Sequence, residues 1–149
     1  MSKNISYCIL IVCVGLVLTL ASSSPSILSD NNQFLKEFVG QAFLGILGVI
    51  LAITLASAGQ LHLTLNQIEE KYEEKNSFEK TRSGIRQASY WLISLFLFSV
   101  GLVVLKSLLA VDEWIQTIFN GFSLIVLIWN VLILITITKA IFHIRPHQD

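Results

Sequence analysis

The sequence predicts an all-α membrane protein with four transmembrane helices and an antiparallel helical hairpin between the second and the third. Apolar residues make up 54% of the 149 residues and charged residues only 13%, whereas soluble domains contain about 25% charged residues. The mean hydropathy is +0.71. Four apolar segments are each long enough to cross a bilayer, and the basic residues are concentrated between the second and the third. Together these observations predict a single membrane domain over residues 1–149.

A helix that crosses the hydrocarbon core needs about 20 apolar residues. The predicted spans comprise residues 5–21, 38–58, 91–109 and 115–142. The third is interrupted only by Lys106 near one end, and the fourth is longer than a bilayer requires, so it must tilt or project. An alternative exists for the first span, because Lys3 followed by a short apolar stretch and by Ala21-Ser22-Ser23 also resembles a cleaved signal peptide.

The distribution of Lys and Arg predicts the orientation. Basic residues concentrate in the central connection and at the two ends: Lys3, Lys71, Lys75, Lys80, Arg82, Arg86, Lys139 and Arg145. The other two connections contain only Lys36. The positive-inside rule therefore predicts a multi-pass protein with both termini and the central connection in the cytoplasm.

The central connection, residues 59–90, is predicted to form a stalk of two helices. Leu61, Leu65, Ile68 and Tyr72 are spaced by 4, 3 and 4 residues, which is typical of a coiled-coil seam. The second helix is therefore expected to continue without a break from Phe38 to about residue 75.

A second stalk helix is expected to begin near Ser77 and to run into the third span. Asn76 followed by Glu79 resembles an N-cap with its reciprocal acidic residue. Phe78 and Ile85, seven residues apart, give this arm an apolar stripe that matches the seam of the first arm.

The charges of the stalk allow two interpretations. The first arm is mostly acidic and the second is basic, so folding at residues 76–77 brings opposite charges together, with each exposed pair contributing about 0–1 kcal/mol. Alternatively, Lys80, Arg82 and Arg86 bind an anion, because an Arg guanidinium suits a phosphate group. The balance of five basic and five acidic residues in the connection favours pairing.

The second span carries a packing signal. Gly45, Gly48, Ala52 and Ala56 are spaced by 3, 4 and 4 residues and so lie on one helix face. Small residues on one face let another backbone approach closely in lipid. This face is expected to form a subunit interface or to line a pore; the alternative is packing against the first or third helix of the same chain.

Apart from Lys106 and Lys139 near the span ends, polar side chains within the spans are few and uncharged. The candidates for a pore lining or a buried polar contact are Gln41, Thr54 and, near the middle of the fourth span, Asn130. An amide exposed to hydrocarbon is costly, so Asn130 is expected to line a pore or to form a hydrogen bond between helices.

Catalytic chemistry is not indicated. No Asp, Glu or His lies deep in a predicted span, and the sequence contains no P-loop or zinc-protease motif. Cys8 and Cys13 lie within the first span as small apolar residues, and Pro146 between His143 and His147 disfavours a metal site. The sequence therefore predicts no enzyme, no cofactor and no metal centre.

The size, the two membrane hairpins and the charged stalk resemble small membrane effectors of bacterial antiphage defence, such as the channel-forming effector of the Hailong system. The resemblance implies a homo-oligomeric channel of the inner membrane, most simply a tetramer, gated from the cytoplasm by a nucleotide or oligonucleotide. The near-neutral stalk departs from the strongly basic surface that nucleic-acid binding requires. The alternative function is a non-conducting membrane scaffold or accessory subunit that recruits a partner through its coiled-coil stalk.

Overall fold

The computed structural model describes residues 3–72 and 78–143, which fold into helices joined by short connections. The helices are α1 (Lys3–Ser23), α2 (Pro25–Leu28), α3 (Gln33–Glu37), α4 (Phe43–Tyr72), α5 (Glu79–Leu109) and α6 (Glu113–His143). Four of these, α1, α4, α5 and α6, are long and apolar enough to cross a membrane. The predicted all-helical fold class and the four helices of membrane length are therefore confirmed.

The second long helix begins later than the sequence predicted. An irregular segment, Phe38–Ala42, precedes α4, and within it Val39 (ψ 70°) and Gly40 (φ −169°, ψ −127°) depart from helical geometry. The prediction of an unbroken helix from Phe38 was therefore wrong at this end. The break falls beside Gly40, which lacks a Cβ and is a poor helix former. At its other end α4 runs to Tyr72, and residues 73–77 lie outside the described part of the chain.

The described part of α5 begins two residues after Ser77, near which the sequence placed its start. The helix begins at Glu79, and the preceding residue, Phe78, offers no side-chain cap. The Glu69 carboxylate of α4 accepts a hydrogen bond from the Phe78 backbone N–H at 3.3 Å. An acidic group beside the first turn of a helix satisfies free N–H groups and the helix dipole. The predicted cap, Asn76, lies outside the described residues.

Two apolar clusters join the long helices. The first contains Phe43 and Leu47 of α4, Leu95 and Leu102 of α5, and Val126 of α6. It makes these three helices one bundle.

The second cluster lies farther along α4 and α5 and contains Ala58, Leu61, Leu65 and Ile85, with Phe78 packed against it. Leu61 and Leu65 of the predicted seam are buried here, whereas Ile68 is half-buried. The packing of α4 on α5 therefore continues past the apolar spans. α4 has 30 residues and α5 has 31, so each is about 45 Å long, against a hydrocarbon core of about 30 Å.

The first helix packs mainly against α6 and lies outside this three-helix bundle. A Cβ added at Gly121 of α6 would lie 2.9 Å from Val17 Cγ1 of α1. Glycine at this position is what allows the two helices to approach so closely.

We expect Gly121→Ala to separate α1 from α6 and to destabilise the protein by about 1–3 kcal/mol, because Val17 is β-branched and cannot easily rotate away. Thermal unfolding in detergent measures the effect. Gly48→Ala is the matched control, since its added Cβ would meet Phe96 Cε2 at an ordinary 3.7 Å. Adding Val17→Ala to the Gly121→Ala variant should restore stability. Equal melting temperatures of Gly121→Ala and Gly48→Ala would contradict the close contact between α1 and α6.

Candidate functional site

The three basic residues predicted to bind an anion lie in different environments. Lys80 and Arg86 are exposed, and Arg82 is half-buried. The Arg82 guanidinium forms an ion pair with Glu69 at 2.8 Å and donates a hydrogen bond to Asn66 Oδ1 at 2.6 Å. Arg82 therefore takes part in the charge pairing that the sequence offered as the other interpretation. Anion binding by these residues stays a prediction.

Most of the small-residue face of α4 is uncovered. Gly45, Ala52 and Ala56 are exposed, and no atom lies within 4 Å of a Cβ built on Gly45. Gly48 is half-buried, and its added Cβ would touch Phe96 of α5. Among the described residues, packing within the subunit uses only the Gly48 edge of this face.

Two of the predicted polar residues, Thr54 of α4 and Asn130 of α6, point into the bundle. Thr54 and Asn130 are each 1% exposed, and each donates to a carbonyl of its own helix, Thr54 to Ile50 O at 2.6 Å and Asn130 to Val126 O at 2.9 Å. Neither bond joins two helices, and neither side chain lies on the outer surface of the subunit. Gln41 is exposed in the irregular segment before α4.

A polar cluster that sequence reasoning missed lies where the connection between α1 and α4 meets α5 and α6. We call Asp30, Lys106 and Asn120 the Asp30 cluster. Lys106 Nζ lies 2.8 Å from Asp30 Oδ1, and the two side chains are 9% and 22% exposed. Asn120 is fully buried and donates from Nδ2 to Asp30 Oδ1 at 3.0 Å and to Leu28 O at 2.7 Å. Its Oδ1 is buried without a hydrogen-bond partner among the described residues.

Further hydrogen bonds fasten the same connection to the first turns of α6. Glu113 Oε1 accepts from Ser29 Oγ at 3.3 Å and from Asn31 Nδ2 at 3.0 Å. Gln116 Oε1 accepts from the Asp30 backbone N–H at 3.1 Å, and Thr117 Oγ1 donates to the Pro25 carbonyl at 3.0 Å. The segment between α1 and α4 is therefore held at several points.

Opposing effects set the pKa of Asp30, which lies between α2 and α3, outside the four long helices. Burial raises the pKa, but the hydrogen bonds from Lys106 and Asn120 and the positive charges of Lys106 and Lys36 lower it by more. The pKa of Asp30 consequently lies below its usual value. The carboxylate remains ionised, which is the state that pairs with Lys106.

One signal for this cluster was present in the sequence. A cation inside an apolar span needs a partner, and Lys106 was the only charged residue interrupting the third span. Asp30, Asp112 and Glu113 all flank that end of the bundle in the predicted topology. Choosing Asp30 among them requires the path of the connection in three dimensions.

Comparison with known proteins gives no family model, curated protein or solved structure that matches this chain. Within the described residues, no three His, Cys, Asp or Glu side chains are grouped so that they could hold a metal ion. The candidate site thus has three parts. The connection between α1 and α4 is hydrogen-bonded to α5 and α6, the small-residue face of α4 is uncovered, and the ends of α4 and α5 beyond the spans are joined by the Arg82–Glu69 ion pair.

We expect Asp30→Asn to lower the free energy of unfolding by about 1–3 kcal/mol at neutral pH. This is more than an exposed ion pair contributes and less than the loss of one partner of a fully buried pair costs, because the pair is only partly exposed. Because the folded pKa lies below the unfolded value of about 3.9, this stabilisation is fully present above about pH 4. It is lost as the pH falls through the lower folded pKa. The difference in melting temperature between wild type and variant should therefore be constant from pH 8 to pH 5 and should narrow at still lower pH.

Asp112→Asn, which changes an exposed carboxylate near the same end of the bundle, is the control and should have little effect. A difference between wild type and Asp30→Asn that persists unchanged below the folded pKa would show that the charge of Asp30 is not what stabilises the cluster.

Proposed function

We propose that this chain forms a homo-oligomer in the inner membrane, with the exposed small-residue face of α4 packed against a neighbouring subunit. The observation that carries the proposal is that Gly45, Ala52 and Ala56 are exposed and Gly45 has open space around it. Helices in lipid associate through small residues because these let two backbones approach closely. A face of this kind left uncovered within the subunit suits a contact between subunits.

The proposed orientation places both termini and the hairpin formed by the extensions of α4 and α5 in the cytoplasm. It rests on the excess of Lys and Arg in the central connection and at the ends. Lys106 lies at the end of α5 farthest from this hairpin, which is the outer end in the proposed orientation. It is paired with Asp30, so it adds no unpaired positive charge there.

We further propose that the oligomer is an ion-conducting pore controlled from the cytoplasm. α4 is one uninterrupted helix from Phe43, in the first apolar cluster, past Leu65, in the second. A displacement of its cytoplasmic end would therefore be transmitted to its membrane face, provided that two arrangements of similar energy exist. A tetramer is the subunit number that the resemblance to antiphage effectors implies.

The second candidate function is a non-conducting scaffold that recruits a partner through the cytoplasmic hairpin. A specific observation favours it: Thr54 and Asn130 are buried inside the subunit, so neither can line a pore between subunits in this conformation. A pore between the apolar outer faces would be closed to ions by exclusion of water. Conduction thus requires a second conformation, whereas a scaffold does not.

A cytoplasmic nucleotide or oligonucleotide ligand is the part of the proposal that depends on Lys80, Arg82 and Arg86. Lys80 and Arg86 are exposed and accessible to such a ligand. Arg82 would have to exchange Glu69 for a phosphate, since its guanidinium already forms that ion pair. Such an exchange is one way in which a ligand would loosen the contact between α4 and α5.

We expect Gly45→Leu and Ala52→Leu each to reduce the native mass of the protein in detergent, because a large side chain prevents close approach of the neighbouring subunit. Multi-angle light scattering measures the mass. Gly15→Leu is the matched control: Gly15 is also exposed, with open space around it, but lies on α1. Unchanged mass in both α4 variants would show that this face contacts only lipid.

The same proteins in liposomes separate the two candidate functions. A pore should release a trapped ion in the wild type and in Gly15→Leu and should release less in Gly45→Leu. An oligomer that releases no ions, with or without added oligonucleotide, would identify the scaffold as the function.

We expect a reporter enzyme that is active only outside the cytoplasm to be silent when fused after Asp149 and active when fused to a chain truncated after Asp112. This pattern follows from four membrane crossings with both termini inside. Activity of the fusion at Asp149 would overturn the orientation and revive a cleaved first segment.

A further inference from the structure

The exposed face of α4 extends beyond the small residues. Gly45, Ala52, Ala56, Leu63 and Glu70 are all exposed and are spaced by 7, 4, 7 and 7 residues, so they lie along one side of the helix. This side is opposite the one that carries the buried leucines of the two apolar clusters. Leu63, beyond the predicted apolar span, is 62% exposed. The face is therefore uncovered both inside and outside the apolar region.

An exposed face of α5 has a similar pattern. Lys80, Gln87, Ser94, Gly101 and Leu108 follow one another at intervals of seven residues. All are exposed except the half-buried Gly101, and a Cβ at Gly101 would meet no atom within 4 Å. The Ser94 hydroxyl, in the middle of the predicted span, forms no hydrogen bond within the described residues. α5 thus also presents small residues outward in the middle of the membrane and a basic residue at one end.

Contacts inside the subunit fix the relative heights of the two helices. Gly48 lies beside Phe96, and Glu69 lies beside Arg82, so α4 and α5 run in opposite directions. The first contact places Ala52 and Gly45 within about one helical turn of the heights of Ser94 and Gly101, and the second places Glu70 about one residue from the height of Lys80. Copies of the chain in one membrane share the same heights and the same direction across it.

We propose that the partner on the exposed α4 face is the exposed α5 face of a second copy of this chain. This contact sets small residues opposite small residues within the membrane and Glu70 opposite Lys80 beyond it. α1 packs mainly against α6 and leaves both faces uncovered. The inference rests on the self-association proposed above and adds which surface each subunit offers.

Charge decides between this contact and a contact of α4 with α4. Two parallel α4 helices would bring the Glu70 residues of both copies to the same height, and like charges across an interface are unfavourable. The α4–α5 contact instead places Glu70 near Lys80, and neither residue forms an ion pair within the described part of its own subunit. A contact between two different surfaces repeats from copy to copy, and it forms a ring where the rotation between successive copies closes.

Cysteine cross-linking between differently labelled chains tests the proposal. Full-length chains lacking Cys8 and Cys13 (Cys8→Ala, Cys13→Ala) receive either Glu70→Cys or Lys80→Cys, are mixed, reconstituted in liposomes and treated with a short bismaleimide. We expect cross-linked dimers in the mixture and far fewer in either preparation alone. A mixture of Lys80→Cys and Ser22→Cys chains is the control, because Ser22 is exposed and lies near α2, at the end of the bundle opposite to Lys80.

The outcomes distinguish failure of the contact from failure of self-association. Cross-linking of the Glu70→Cys preparation alone identifies an α4–α4 contact and overturns the proposal. Absence of cross-links in a protein whose native mass is oligomeric also overturns it, while self-association stands. If the native mass is that of a monomer, both the proposed self-association and the proposed α4–α5 contact are wrong.

A charge exchange provides an independent measurement without cysteine. Glu70→Lys and Lys80→Glu should each weaken self-association, by up to about fivefold in the dissociation constant per contact. The doubly exchanged chain should recover the affinity of the wild type. Under an α4–α4 contact Lys80→Glu would have no effect and the double exchange would restore nothing, which would overturn the proposal.

Discussion

The ion pair between Lys106 and Asp30 is the constraint on which the arrangement of the bundle depends. An ammonium group at the end of an apolar helix is costly without a partner, and the Asp30 side chain supplies one. That side chain belongs to the connection between α1 and α4, which is thereby drawn over the ends of α5 and α6. Because this connection immediately precedes α4, its attachment to α5 and α6 also determines where α4 begins in the bundle.

Three polar side chains of the spans lie inside the bundle, and the outer surface is mainly apolar with some small residues. Thr54, Ser99 and Asn130 are buried and donate to carbonyls of their own helices, so they need no partner from another chain. In lipid the apolar outer surface supplies no hydrophobic drive for association, and close packing must replace it. Gly45 and Gly101, each with open space around it, are two positions where such packing is sterically possible.

The sequence predicted the long helices well because bilayer thickness imposes a length on every span, and that length can be read directly from hydropathy. It did not predict the break at Val39 and Gly40, since glycine is frequent in membrane helices that remain intact. The burial of Asn130 depends on the rotation of α6, and apolar residues on every side of the helix leave that rotation open in the sequence. The partner of Arg82 was likewise undetermined, because several glutamates of α4 were within reach and only the register selects Glu69.

The packing of α1 has a consequence for how the protein is made. Its main partner is α6, and the contact between Val17 and Gly121 joins positions about one hundred residues apart in the chain. A ribosome adds about 5–20 residues per second. The part of α6 that packs against α1 is therefore synthesised roughly 5–20 s after α1 itself. During that interval α1 has no α6 surface to pack against. α1 is apolar on all sides, and none of its most apolar window is buried in the finished fold. A helix of this composition is stable in lipid without a partner, so the nascent chain can hold it there until α6 has been made.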